Sequence, residues 1–334
     1  MDRFPRPIPP GWYQIGWSDD FPLGESRPLR YFGRDLVAYR ATSGRVVVLD
    51  AHCPHMGAHL GFGGAVVGDS IQCPFHGWTW TPDGRNESIP DGSPPNRAQR
   101  LGCWTSQENS GLVLVWYHPV RNDPTWTVPE LVPSLDGYHQ PERGRRMWQV
   151  RVHPQFVAEN AIDSAHFQFV HRAGSSPVVV DIADNGENLH VSQEIVFGAR
   201  RAATWLTPEG PTKGSLEIDL WGLALAFTRF AAADEALSLV ATTPIDDGLS
   251  DYRMSNWVPL SPDADAAAIE AVGRRNAEQF KQAERDFVIW ENLSYIERPP
   301  LSRTEARAYR QLRTWADRFY RDCDADSQSP AIVP

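Results

Sequence analysis

Two short segments of this sequence each combine a cysteine with a histidine at a spacing that suits an inorganic centre. Cys53 and His55 form C-x-H, and Cys73 and His76, after a gap of seventeen residues, form C-x-x-H. Thiolates and imidazoles are common ligands of zinc and of iron–sulfur clusters. Both segments directly follow short apolar runs that predict β-strands, so we expect two loops at strand ends that bring four ligands together.

The arrangement of these four ligands distinguishes between two kinds of site. Two cysteines and two histidines often hold structural zinc, but zinc fingers usually pair the cysteines in one segment and the histidines in another. Here each loop supplies one of each kind, which favours a two-iron two-sulfur cluster with cysteines on one iron and histidines on the other. Zinc stays the alternative. His52 and His59, which flank the motif, are interpreted as loop residues or hydrogen-bond donors rather than ligands.

A second group of polar residues follows about a hundred positions later. Asn160, Asp163 and His166 recur every three residues and would share one face of a helix. His171 lies five residues after His166, about 140° away on an ideal helix. Both histidines can therefore reach one metal only if the helix ends or distorts within residues 167–170. Taken alone, such a pair is more often structural.

The surrounding pattern predicts an α+β protein. Residues 11–120 alternate short apolar runs with turn residues and predict an all-β domain. Residues 121–147, rich in proline and acidic side chains, predict a connector, and 148–321 predict an antiparallel sheet with helices; 1–10 and 322–334 are terminal segments. The predicted strands of the second domain are Val178–Val180, Leu189–Phe197, Ser215–Phe230, Leu237–Thr243 and Tyr252–Val258.

Three helices are expected in this second domain. One begins at Pro154 and runs to about His166, a second begins after Ser261 and runs to about Leu293, and a third covers about Thr304–Tyr320. The second helix offers the carboxylates that a metal held by two histidines would need. Spacing does not choose among these candidates, which are Glu278, Glu284, Asp286 and Glu291.

Composition limits the possible partners. The 334-residue chain carries 42 acidic and 32 basic side chains, a net charge of -10, which argues against nucleic acid or an anionic membrane as partner. It has no run of about 18 apolar residues that would predict membrane insertion, and its first ten residues do not resemble a signal peptide. Four cysteines are too few for a disulfide scaffold. We therefore expect a cytoplasmic protein with reduced thiols.

The motifs together resemble those of the Rieske non-haem iron oxygenases. C-x-H…C-x-x-H followed by Gly77-Trp78 resembles the Rieske domain, and N-x-x-D-x-x-H-x4-H, which begins at Asn160, resembles the mononuclear iron motif of the same enzymes. D-x-x-I-W at Asp286–Trp290 and the terminal stretch Tyr309–Tyr320 are similar to the steroid-active branch, the 3-ketosteroid 9α-hydroxylases and cholesterol 7-desaturases.

This resemblance implies a set of site residues. Cys53 and Cys73 would hold one iron of a 2Fe-2S cluster, and His55 and His76 the other. A helix-grip-like C-terminal domain would hold one mononuclear Fe(II). Asp163 would carry electrons from His76 of one protomer to His166 of the next in a homotrimer, or would only fix the His166 tautomer. Asn160 has a possible catalytic role. The predicted mononuclear iron ligands are His166, His171 and Asp286.

The resemblance also implies a function. The chain would be the terminal oxygenase of a multicomponent monooxygenase that uses O2 to hydroxylate a hydrophobic, steroid-like substrate. It has no nucleotide-binding fingerprint, so NAD(P)H would act only through a partner ferredoxin or flavin reductase. O- or N-demethylation, desaturation, or hydroxylation of an aromatic or other natural product stays open, as does an electron-transfer-only role. The candidate pocket residues are Val196, Phe197, Trp205, Leu223, Leu225, Phe227, Phe230 and Trp257.

Overall fold

The computed structural model describes residues 4–132, 137–139, 144–197, 210–231, 235–246, 248–261 and 263–321. The chain divides into two compact units. The N-terminal unit consists of residues 12–131 and a short later segment, where Phe32 donates its backbone N–H to the carbonyl oxygen of Pro244 over 2.9 Å. The C-terminal unit contains the rest of the chain. Among the described residues, no helix has the length and apolarity needed to cross a bilayer.

The N-terminal unit is built from short antiparallel strands, as predicted. They form a three-stranded sheet in the order β1-β11-β10 and two four-stranded sheets, β2-β3-β4-β9 and β5-β6-β7-β8. The strands are β1 (Gly11–Trp17), β2 (Ser26–Tyr31), β3 (Arg34–Arg40), β4 (Val46–Asp50), β5 (Ala65–Val67), β6 (Ser70–Gln72), β7 (Thr79–Trp80), β8 (Asn86–Ser88), β9 (Cys103–Trp104), β10 (Ser106–Asn109) and β11 (Leu112–Tyr117).

The C-terminal unit is an antiparallel sheet with helices on it, which confirms the predicted α+β class. The sheet has the order β12-β19-β18-β17-β16-β15-β14, and β13 also pairs with β19. The elements are β12 (Tyr138–His139), β13 (Arg145–Val150), α1 (Pro154–Glu159), α2 (His166–Phe169), β14 (Val178–Asn185), β15 (Asn188–Phe197), β16 (Thr212–Trp221), β17 (Leu225–Ala231), β18 (Leu237–Asp246), β19 (Leu249–Pro259), α3 (Ala266–Trp290) and α4 (Ala306–Ala316).

One face of this sheet carries the core of the unit. Side chains alternate along each strand, so Leu189 and Val191 of β15 lie on the same face as Leu216 and Ile218 of β16. That face packs against α4 through Trp315, which is fully buried. The predicted strands at 178–180, 189–197, 237–243 and 252–258 are confirmed within β14, β15, β18 and β19.

One predicted strand was wrong. Ser215–Phe230 was expected to be a single strand, but it is divided between β16 and β17. The chain turns at Gly222, whose φ of 57° lies in the left-handed region that glycine adopts without strain. The apolar run through Leu223 and Leu225 concealed this turn, because both residues are buried and no polar residue marks the reversal.

The helix expected from Pro154 to His166 was also wrong in its extent. α1 ends at Glu159, and a new short helix, α2, begins at His166. His153 rather than a serine or aspartate caps α1, since its side chain accepts the Gln155 N–H over 3.2 Å. α3 ends at Trp290, close to the predicted end at about Leu293. Its first residue follows Asp265, which caps the helix instead of Ser261.

Candidate metal centres

The two cysteine-containing loops share one backbone design. In the first, Cys53 N–H donates to Ala58 O over 2.8 Å and Gly57 N–H donates to Cys53 O over 2.8 Å. In the second loop, Cys73 N–H donates to Trp78 O over 2.8 Å, and the glycine at position 77 donates to Cys73 O over 3.0 Å. Both glycines have a positive φ, 77° and 71°, which such tight turns require. The loops follow β4 and β6, so the predicted placement at strand ends is confirmed.

The side chains of these loops differ in exposure by residue type. Cys53 and Cys73 are buried at 2% and 4% relative exposure, in a cluster with Leu60, Ile71 and Trp80. The histidines lie toward the surface: the ring centroids of His55 and His76 are 4.8 Å apart, and His55 stacks on Trp78 at 4.4 Å. The sulfur side of the site is therefore enclosed, whereas the imidazole side is accessible to another molecule.

The surroundings of the cysteines suit an iron–sulfur group. The indole nitrogen of Trp80 is buried in the same cluster as both thiols and makes no regular hydrogen bond among the described residues, although it lies close enough to the Cys53 sulfur to lower the pKa of that thiol. A sulfide-containing group at this place would give that N–H an acceptor. Burial raises the pKa of the Cys53 thiol, and the nearby Cys73 raises it further, so assembly of the cluster would release protons.

The flanking histidines are hydrogen-bonded within the loops. His52 Nδ1 lies 3.1 Å from Gly57 O, and its Nε2 lies 3.3 Å from an Asp35 carboxylate oxygen. His59 Nδ1 accepts the N–H of Gly61 over 3.0 Å. These contacts agree with their interpretation as loop residues.

The second centre forms where α1 and α2 meet α3. His166 Nε2 lies 3.1 Å from His171 Nε2, which lies 3.6 Å from Asp286 Oδ1. α2 ends at Phe169, as the spacing of the two histidines required, so His171 turns back toward His166. Three ligand atoms thus converge with the spacing of a single-ion site, and two histidines with one carboxylate are the ligand set of non-haem iron oxygenases.

Asp163 fixes the orientation of the His166 ring. Its backbone carbonyl oxygen lies 2.5 Å from His166 Nδ1, which therefore carries the proton and leaves the Nε2 lone pair directed at the centre. Its carboxylate accepts the backbone N–H groups of Ala165 and His166 over 3.1 and 3.4 Å. Burial lowers the pKa of His166, but the hydrogen bonds with Asp163 and the charges of Asp286 and Asp163 together outweigh this, and the net shift is upward.

Asp286 is held by the end of α1. The Asn160 side-chain amide donates to Asp286 Oδ2 over 3.4 Å, while Asp286 Oδ1 faces His171. Burial raises the pKa of Asp286 to about 7, and burial together with His166 and Arg285 lowers the pKa of His171 to about 4. A neutral imidazole beside a buried carboxyl is a donor set that a divalent cation would complete.

The other candidate carboxylates of α3 have different partners. Glu284 accepts a hydrogen bond from the Trp148 indole over 3.1 Å and forms an ion pair with the Arg146 guanidinium over 3.1 Å, and Glu278 accepts the Gln282 amide over 2.6 Å. Glu291 is exposed beyond the end of the helix. The described structure therefore places only Asp286, of the four, with the two histidines.

A buried ion pair behind Asn160 did not emerge from sequence reasoning. Arg313 of α4 donates to both carboxylate oxygens of Glu159, over 2.9 and 3.1 Å. Gln155 donates to the same carboxylate over 3.0 Å and accepts the Tyr320 hydroxyl over 2.9 Å. The available signal was the pair of polar residues Gln155 and Glu159 among the apolar residues of α1. This network fixes the end of α1 that contacts Asp286.

The predicted pocket residues are divided between the two faces of the sheet. Phe197, Phe230 and Leu223 belong to the apolar face that packs on the helices. Val196 and Phe227 alternate with them and lie on the opposite face. Trp257 likewise alternates with Met254 and Val258, and Trp205 lies outside the described residues.

Comparisons with known proteins match the whole length of the chain. Residues 11–105 match the family model "Rieske [2Fe-2S] domain", and 115–320 match "3-Ketosteroid 9alpha-hydroxylase C-terminal domain". A cholesterol 7-desaturase of Xenopus laevis is 31% identical over 99% of this chain and 75% of its own length. The oxygenase component of a 3-ketosteroid-9-alpha-monooxygenase of Rhodococcus rhodochrous is 29% identical over 96% of this chain and 85% of its own length.

The solved structures agree on the fold. The crystal structure of dicamba monooxygenase bound to dicamba superposes with a TM-score of 0.71 at 18% identity, and covers 94% of this chain and 98% of its own. At this identity the likeness extends to the fold alone.

Proposed function

This chain belongs to the Rieske non-haem iron oxygenases with a 3-ketosteroid 9α-hydroxylase C-terminal domain, and we propose that it hydroxylates a steroid-like substrate as a terminal oxygenase. The observation that carries the proposal is the convergence of His166, His171 and Asp286 in a chain that also has the Rieske loops. We assign residues 11–120 to the cluster domain, 121–147 to the connector and 148–321 to the catalytic domain.

The residues of each centre have separate tasks. Cys53, Cys73, His55 and His76 would hold the 2Fe-2S cluster, and His166, His171 and Asp286 the iron. When bound, these groups supply single electrons and, at open iron positions, the activation of O2 that a monooxygenase needs. Asn160 orients the Asp286 carboxylate, and the Asp163 carbonyl keeps the His166 lone pair directed at the metal.

Electron transfer between neighbouring protomers of a homotrimer is part of the proposal. Exposed apolar side chains lie next to each centre: Phe75, 62% exposed, precedes His76, and Phe169, 81% exposed, lies between the two iron-binding histidines in sequence. Burying such side chains against a second copy of the chain would be favourable. In this arrangement Asp163 would link His76 of one protomer to His166 of the next.

The steroid-like substrate is proposed from the relatives together with the apolar face of the C-terminal sheet. The packed core on the face near α4 is bordered by half-buried apolar side chains, among them Phe167, Ile195 and Phe230, and contact with these side chains suits a large apolar molecule. The relatives include both a monooxygenase and desaturases, so product analysis has to determine whether the reaction is hydroxylation or desaturation. A ferredoxin or flavin reductase that uses NAD(P)H would supply electrons, which is why we propose a cytoplasmic location.

The test combines metal analysis with turnover. The purified protein should contain about three irons and two acid-labile sulfides per chain, and about two irons in His166→Ala. With a reductase, NADH, O2 and a panel of steroids and aryl methyl ethers, we expect a steroid product carrying one oxygen atom from O2. Turnover of the ethers without any steroid product would replace this proposal by a demethylase. Two irons in both the wild type and His166→Ala would indicate an electron carrier, and a colourless zinc protein would exclude both.

A further inference from the structure

Several buried polar side chains of the C-terminal unit, Thr242 among them, have an atom without a hydrogen-bond partner in the described structure, and three of these side chains lie on facing or neighbouring elements. Asn256 and Asn276 are fully buried, and neither the oxygen nor the nitrogen of either amide is paired. Ser238 is 3% exposed, and its hydroxyl is also unpaired. Leaving a buried polar group unsatisfied costs about 1–3 kcal/mol, and native proteins contain few such groups. These three lie on neighbouring elements, so one explanation should account for all of them.

Asn256 and Asn276 lie opposite each other, between β19 and α3. On β19, side-chain alternation places Asn256 between Met254 and Val258 on one face. On α3, Asn276 is one turn from each of two residues that contact this strand. Residues on both sides of the two asparagines pack together across the gap between β19 and α3. These pairs are Val258 with Val272, and Met254 with Phe280.

Ser238 lies on the same face, one strand away. Val240 of β18 packs in the cluster that contains Met254, and β18 is the neighbour of β19 in the sheet. Alternation then places Ser238 on that face as well. Because consecutive strands of this hairpin run in opposite directions, the step from Val240 to Ser238 leads toward Asn256.

The three polar groups are enclosed by apolar side chains. Val258 and Val272 pack with Ala236, and Phe230 lies against this cluster. The guanidinium of Arg275, the residue before Asn276, lies over the Phe230 ring at 5.2 Å. Phe230 also packs against the apolar face near α4, which connects the polar group of residues to the proposed substrate region.

We propose that Ser238, Asn256 and Asn276 bind a polar oxygen function of the substrate, a hydroxyl or a ketone, at the end of its apolar skeleton remote from the iron. This rests on the proposed function. Asn276 and Asp286 are ten residues apart on α3, about 15 Å along the helix axis. A fused-ring skeleton bridges such a gap more fully than a single aromatic ring. The amides offer both donors and acceptors, so they accommodate either oxygen function.

The test measures binding to the holoenzyme by equilibrium dialysis. Cholesterol and a 3-ketosteroid are each compared with the analogue in which that oxygen is replaced by hydrogen. In the wild type we expect at least one oxygenated member to bind about tenfold or more tightly than its analogue, because one net hydrogen bond is worth about 0.5–1.5 kcal/mol and several are available. Cholesterol and the ketosteroid distinguish a hydroxyl from a ketone as the bound group.

Asn256→Leu, Asn276→Leu and the smaller change Ser238→Ala should each reduce this preference, and the two leucine variants should bring it close to one. Without steroid, the leucine variants should be as thermally stable as the wild type or more so, because an unpaired amide is replaced by an apolar group of similar size. Asn292→Leu, at the exposed end of the same helix, is the matched control and should keep the preference.

Two results overturn the inference. One is an unchanged preference in all three variants. The other is lower stability of the leucine variants together with unchanged preference, which would show that buried water satisfies these amides. If the wild type oxidises steroids without preferring the oxygenated member, the proposed function stands and the polar subsite is wrong. If the wild type binds no steroid at all, the steroid proposal falls and the subsite falls with it.

Discussion

The loops that carry Cys53 and Cys73 are local structures, whereas the group formed by His166, His171 and Asp286 joins segments that are more than a hundred residues apart. Each loop closes on itself with the same two backbone hydrogen bonds. The second centre depends on how α3 packs and on what holds the end of α1. The first centre should therefore respond mainly to changes in its own loops and in the side chains that pack on them, and the second to changes far along the chain.

The largest effect is expected from Cys73→Ser. It removes a buried thiolate ligand, so we expect loss of the visible chromophore, of labile sulfide and of turnover together. Iron and sulfide analysis with visible spectroscopy measures this. Cys103→Ser, at an exposed free cysteine of the same unit, is the control and should keep all three. A variant with full sulfide content would show that Cys73 is not a ligand.

Asp286→Asn should separate the two centres. The amide removes the negative charge that the iron needs, so about one iron per chain and turnover should be lost while the visible spectrum of the cluster is kept. Glu291→Gln, just beyond the end of the same helix, is the control and should retain iron and activity. Loss of the cluster spectrum in Asp286→Asn would contradict the independence of the two centres.

Arg313→Gln tests whether the second centre depends on remote contacts. It leaves the Glu159 carboxylate buried without its charged partner, and breaking such a pair costs about 3–5 kcal/mol. We expect a lower melting temperature and reduced occupancy of the mononuclear iron, because Asn160 directly follows Glu159. Arg310→Gln, on the exposed face of α4, should change neither. An unchanged iron content in Arg313→Gln would show that the ion-pair network does not support the metal site.

The same contrast explains what the sequence could predict. The ligands at 53–76 are close in sequence, so their spacing alone indicated the chemistry and the loops at strand ends. Asp286 could not be chosen from spacing, because Glu278, Glu284 and Glu291 lie on the same helix; the packing of α3 decides.

Local conformational choices account for the other errors. The chain leaves the helix after Glu159, and Asp163 then uses its carboxylate on the backbone of residues 165 and 166. Side chains of aspartate and asparagine make such local bonds to the backbone, and these bonds compete with the hydrogen bonds of a helix. A three-residue periodicity in the sequence does not reveal this competition. The positive φ at Gly222 similarly divided a run that read as one strand.

The smallest effect should come from pH acting on the start of α1. His153 accepts the Gln155 N–H at Nδ1, its Nε2 lies 3.3 Å from Pro7 O, and its ring stacks on Phe4 at 3.7 Å. This arrangement requires the neutral ring, and burial lowers the pKa of His153 to about 3.

Because the folded-state pKa lies below the unfolded value of about 6.5, the stability contributed by the neutral ring is complete above pH 6.5 and is lost as the pH falls below it. The loss should be at most about 1.4 kcal/mol per pH unit, and smaller here since the ring is half-buried. His153→Asn keeps a capping oxygen without a titrating group, so its melting temperature should fall less between pH 6.5 and 5 in the holoenzyme. Equal slopes for the two proteins would show that this histidine does not couple pH to the C-terminal unit, and any wild-type slope would then come from other groups.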